Sequence, residues 1–90
     1  MSRQIVFENE GWEDFISWVN EDKKIFLRIT ELIEEIQRNP FKGIGKPELL
    51  KHDKQGYWSR RIDKGNRLLY KVTEDTVIIV LCRGHYEKNR

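Results

Sequence analysis

Between positions 25 and 36 six apolar residues, Ile25, Phe26, Ile29, Leu32, Ile33 and Ile36, recur at helical spacing, and the pattern stops at Asn39-Pro40. A stripe of this width must bury itself against a second surface. Proline ends it, because the residue before a proline is pushed out of the helical region. The spacing therefore predicts a helix over 22–38. Upstream, Trp12, Phe15, Ile16 and Val19 fall at i, i+3, i+4 and i+7 and predict another helix, its stripe read as core. Asn9 or Glu10 stands at its N-cap, acids Glu13 and Asp14 lie in its first turn, and Asn20-Glu21-Asp22 separates it from the next. Gln4-Ile5-Val6-Phe7 ahead of it reads as a strand.

After Pro40 the period changes. Residues 41–47, FKGIGKP, form a loop with two glycines and two lysines. Residues 57–62, 67–72 and 77–83 have strand character and are joined by turn-like segments at 63–66 and 73–75, with a further short strand over 48–51. The order predicts an α+β fold: two N-terminal helices packed on one face of a mainly antiparallel sheet of four to five strands, in a single domain over 1–90. Alternation then sorts the side chains. Trp58, Ile62, Leu68, Tyr70, Val72, Ile78, Val80 and Cys82 should face the helices, with Arg60 as one polar intruder. Tyr57, Ser59, Arg61, Arg67, Leu69, Lys71, Val77, Ile79, Leu81, Arg83 and His85 should face the other way, giving a cationic, partly covered surface.

The net charge of +2 hides a division. Residues 1–39 hold five basic and nine acidic residues, a balance of −4, whereas residues 40–90 hold twelve and six, a balance of +6. A basic half of this kind suits a phosphate-rich partner, though any soluble surface scatters some lysine and arginine. The longest apolar run, 77–82, is too short to span a bilayer, and no apolar leader follows Met1-Ser2-Arg3. One cysteine excludes an internal disulfide framework, so a cytoplasmic setting is expected.

Several chemistries lack their residues. One cysteine and two histidines do not make a structural zinc site. The Gly43-Ile44-Gly45-Lys46 loop is followed by Pro47 where a phosphate-binding loop needs Ser or Thr. No serine sits in a nucleophile elbow, and the acids after Pro40 form no carboxylate cluster suited to two metal ions. What remains is Glu48, Lys51, Arg61, Arg67, His85 and Tyr86, a set that needs neither metal nor protein nucleophile if the substrate is RNA, which carries its own 2′-hydroxyl. Glu or His can take the 2′ proton, His can protonate the leaving 5′ oxygen, and Arg and Lys can hold the phosphate as charge builds. An aromatic residue can stack on a splayed base. Taken residue by residue, composition favours plainer readings: a solvated loop acid, a solvated strand face, a histidine near a frayed terminus.

Four motifs in order shift that balance. NPFKGIGKPELLKH at 39–52, GYWSRRI at 56–62, NRLLY at 66–70 and CRGHY at 82–86 together resemble the YoeB/Txe toxins of the RelE/ParE fold group, over nearly the whole chain. The resemblance implies a ribosome-dependent endoribonuclease that cuts mRNA in the A site without metal or cofactor, leaving a 2′,3′-cyclic phosphate. It implies Glu48 as general base, His85 as general acid, Arg67 as the group stabilising the transition-state phosphate, Lys51 and Arg61 as phosphate contacts, and Tyr86 as the aromatic that positions the substrate base or supports the site. It also implies homodimers and a YefM-like antitoxin whose tail covers the site. The chain departs from the family at its end, where residues 87–90 follow the His-Tyr pair. Two other readings remain open at this point: a related toxin that poisons DNA gyrase, for which the acid–base pair has no use, and a non-catalytic module that binds ribosomal RNA.

Overall fold

The computed structural model describes residues 2–51 and 55–85. Its elements are β1 (Gln4–Phe7), α1 (Asn9–Glu21), α2 (Lys23–Arg38), β2 (Glu48–Leu49), β3 (Tyr57–Arg61), β4 (Arg67–Val72) and β5 (Thr76–Leu81). The strands form one sheet in the order β1-β5-β4-β3-β2. All neighbours are antiparallel except β1 and β5, which run parallel. The expected α+β architecture is thus the observed one, with both helices against one face of a mixed sheet.

The α2 stripe behaves as its spacing predicts. Asp22 caps the helix by accepting the Ile25 amide, and Ile29, Leu32, Ile33 and Ile36 are buried against the sheet. Each such side chain contributes about 1.5–3 kcal/mol of burial. The α1 stripe does so only in part. Phe15 packs against the core, its ring against those of Phe7 and Phe26, but Trp12, Ile16 and Val19 are 48%, 46% and 40% exposed, and the fully buried residues of α1 are Gly11 and Trp18. Gly11 explains the rotation. A Cβ there would lie 2.5 Å from the Ile79 carbonyl oxygen, so α1 presses its bare backbone onto β5. Trp18 follows on the same side and donates its indole N–H to the Cys82 carbonyl at 3.0 Å. The N-cap is Glu8, not Asn9 or Glu10 as expected, and its side chain makes no capping bond.

The alternation holds on β3 and β4 and fails on β5. Leu68 and Tyr70 face the helices as expected, but so do Val77 and Ile79, not Ile78 and Val80. The register gives the reason: Tyr70 pairs with Ile79 and Leu69 with Leu81, leaving Val80 as the extra residue of a bulge. One extra residue reverses the facing of everything before it relative to everything after it. Cys82, beyond the bulge, returns to the core. Its burial, and then the nearby Asp14 carboxylate, push its thiol up to about 12, so no thiolate is available for chemistry. On the opposite face Leu69 and Ser59 are nonetheless buried, and Leu50 with them. That side is partly covered, as expected. No helix among the described residues is long and apolar enough to cross a membrane.

Candidate functional site

The loop after α2 carries Lys46 and leads into Glu48, and a buried arginine organises it. Arg60 faces the helices from β3 with no exposed surface. A charge in such a place costs several kcal/mol unless it is paired and fully hydrogen-bonded. Here all five guanidinium N–H groups find acceptors. Nε donates to Tyr70 Oη at 3.1 Å, Nη1 to the Glu35 carboxylate and to the Ile44 carbonyl at 3.0 Å, and Nη2 to the carbonyls of Asn39 at 2.8 Å and Lys42 at 2.9 Å. Tyr70 donates in turn to the Pro40 carbonyl at 2.7 Å, and the Ile44 amide to Glu35 at 2.8 Å. Burial works against ionisation of Glu35, but the Ile44 amide and the Arg60 guanidinium outweigh it and hold the carboxyl below the usual range. Gly43 completes the wrap with φ +125°, where a Cβ would be driven into the Glu35 carboxylate. The two-glycine loop is therefore built around a guanidinium of this chain.

Beyond the loop, the register brings four of the singled-out residues to one end of the sheet. Glu48 opens β2 opposite Ser59, and Arg61 lies opposite Arg67. Glu48, Arg61 and Arg67 share the face turned away from the helices. The Arg67 amide donates to the Gly84 carbonyl at 3.0 Å, which puts the peptide leading into His85 beside Arg67. Strand spacing of about 4.8 Å puts the β4 backbone about 10 Å from Glu48 and the line of β5 about 14 Å from it. Glu48 and Arg61 are exposed, while Arg67 and His85 are half-buried. The Arg67 side chain folds over the β3–β4 turn, its Nη1 donating to the carbonyls of Asp63 at 2.9 Å and Asn66 at 3.2 Å.

Two of the singled-out residues stand apart. Lys51 is exposed and three residues past Glu48, about 10 Å along an extended chain, toward the other end of β3. Tyr86 lies outside the described residues, as does the tail 87–90. Arg83 requires a correction. Expected on the cationic face, it turns instead to α1, donating to Glu21 at 2.8 Å and Ser17 Oγ at 2.7 Å, with its guanidinium carbon 3.8 Å from the centroid of the Trp18 ring. β5 ends at Leu81, so strand alternation no longer governs it. The Arg83 bond holds the Glu21 carboxyl below its ordinary range. Sequence reasoning noticed Arg60 only as a misfit in a core-facing pattern. That misfit was itself the signal, because a buried charge demands partners.

Residues 7–86 match the family model described as YoeB-like toxin of bacterial type II toxin–antitoxin system. Toxin YoeB of Streptomyces coelicolor is 54% identical over 83 residues, covering 92% of this chain and 99% of that protein. Among solved structures, the YoeB dimer from Staphylococcus aureus superposes with a TM-score of 0.87 at 40% identity, covering 96% of this chain and 100% of that one. A heterotetrameric YoeB–YefM toxin–antitoxin complex from the same organism superposes with a TM-score of 0.85 at 40% identity and the same coverage.

Proposed function

The chain belongs to the YoeB-like toxins of bacterial type II toxin–antitoxin systems, and from that premise we propose that it is a ribosome-dependent endoribonuclease cutting mRNA in the A site. The observation that carries the proposal is the gathering of Glu48, Arg61, Arg67 and the Gly84–His85 peptide at one end of the sheet, on strands that bracket a span of about 14 Å. A glutamate and a histidine side chain extended from opposite sides of such a span would leave room for one phosphodiester between them.

In the proposed reaction Glu48 takes the proton of the ribose 2′-hydroxyl. The 2′ oxygen attacks phosphorus, the bond from phosphorus to the 5′ oxygen breaks, and His85 gives that oxygen a proton. The products are a 2′,3′-cyclic phosphate and a 5′-hydroxyl end. Arg67 and Arg61 hold the non-bridging oxygens as negative charge accumulates, which is where fixed cations contribute most. Lys51, set back along the chain, contacts a neighbouring phosphate. Tyr86 stacks on the base.

We also read the chain as a homodimer neutralised by a YefM-like antitoxin, as the Staphylococcus aureus relatives suggest. The exposed apolar stripe Trp12, Ile16, Val19 supports a second copy packing on α1. The test is incubation with ribosomes stalled on a defined mRNA, followed by analysis of the RNA ends. Cuts within the A-site codon ending in cyclic phosphate are expected. Salt-sensitive binding without any cut would overturn the reading.

A further inference from the structure

We propose that Asn66 is a positioning residue that sets His85 in place, an inference that rests on the nuclease reading above. Asn66 closes the β3–β4 turn. Asp63 Oδ1 accepts from the Gly65 amide at 3.0 Å, from the Asn66 amide at 2.9 Å and from the Asn66 side-chain Nδ2 at 3.0 Å. The Asn66 carbonyl accepts the Ile62 amide at 3.0 Å. These bonds orient the side-chain amide. Exchanging its oxygen and nitrogen would set oxygen against the Asp63 carboxylate and N–H against N–H. The oxygen is thereby aimed away from the turn, and it accepts the Gly84 amide at 2.7 Å.

The next residue completes the hold. The Arg67 amide donates to the Gly84 carbonyl at 3.0 Å. That carbonyl belongs to the peptide joining Gly84 to His85. Two consecutive residues, Asn66 in the turn and Arg67 at the start of β4, thus grip Gly84 at both its N–H and its C=O. On the other flank Arg83 is tied to Glu21 and Ser17 and lies over Trp18. Both peptide planes that lead into His85 are therefore anchored, one of them by the residue that also supplies the proposed phosphate clamp. A proton donor must come within about 2.6–3.2 Å of its target. A misplacement of about 1 Å costs about 10²-fold in rate. Asn66 touches no reacting atom in this scheme. It acts through His85.

The experiment compares two mRNAs on stalled ribosomes, one natural and one with the 5′ oxygen at the cleavage position replaced by sulfur. A thiolate leaves without needing a proton, so the sulfur substrate bypasses the general acid. With the natural mRNA, Asn66→Ala is expected to lower single-turnover kcat by about 10²-fold with KM unchanged. With the sulfur mRNA the deficit should vanish, while that of Glu48→Gln should persist. Should the alanine variant lack a native circular dichroism spectrum, Asn66→Ser, which suits a turn, carries the same comparison. A deficit equal on both substrates, or no deficit at all, overturns the positioning role. Failure of the unaltered protein to cut either mRNA overturns the nuclease reading and this inference with it, and is told apart because no variant is involved.

Discussion

Arg60 and Arg61 are adjacent on β3 and face opposite sides of the sheet, and the two sides treat the same functional group in opposite ways. On the helix side the guanidinium of Arg60 is wholly buried, and every donor is spent on Glu35, Tyr70 and three loop carbonyls. On the other side Arg61 is exposed and sits opposite Arg67 in register, two like-charged residues at the sheet's end, with Arg67 turned onto the carbonyls of the β3–β4 turn. The first arrangement lowers the energy of the folded chain. The second is unfavourable in isolation and makes sense for a surface that meets an anion. Stability and proposed function are thus separated by the pleat of one strand.

The sharpest break of this contrast is on the buried side. Arg60→Met should cost about 3–5 kcal/mol, because it strands the Glu35 carboxylate and leaves three loop carbonyls without donors; denaturant titration measures it. Arg61→Ala should change stability by less than about 0.5 kcal/mol in the same titration while still slowing A-site cleavage. The reverse signature belongs to the proposed acid and base. Glu48→Gln and His85→Gln should each lower cleavage about 10²–10⁴-fold with the unfolding midpoint held. Tyr70→Phe is a milder probe of the latch. It removes the bond to the Pro40 carbonyl and the acceptor for Arg60 Nε, and about 1–3 kcal/mol of stability should go with them.

The smallest effect is in the pH dependence. The folded carboxyl of Glu35 titrates below the ordinary 4.5. Its ionisation therefore supports the fold above the ordinary glutamate range, and that support fades as pH falls through it and below. Glu35→Gln should flatten the acid limb of the stability curve while lowering the neutral plateau. An acid limb as steep as that of the unaltered protein would remove Glu35 from the account.

Much of the fold was legible because its patterns are local. The α2 stripe needed only the helical period, β4 only alternation, and the stop at Asn39-Pro40 only the chemistry of proline. Where reading failed, the cause was not local. Residues 77–81, VIIVL, are apolar at every position, so nothing in them marks the extra residue at Val80. The bulge exists only because β4 and β5 pair in a particular register. The stripe on α1 reaches the core only through Phe15, for a related reason: an apolar helix face reads as core, but Gly11, with no side chain to score, is what seats the helix on β5.

The same division runs through the site. The residue types, their order and the basic character of the second half were set by the sequence, and the family follows from them. Which charges meet each other was decided by tertiary structure. Arg60, Arg61 and Arg67 on neighbouring strands and Arg83 just past the end of β5 are one residue type, yet one is buried among loop carbonyls, two belong to the open face and one clasps α1. That sorting depends on the pleat, on the register and on where β5 ends, all of which are settled only when strands distant in sequence lie side by side.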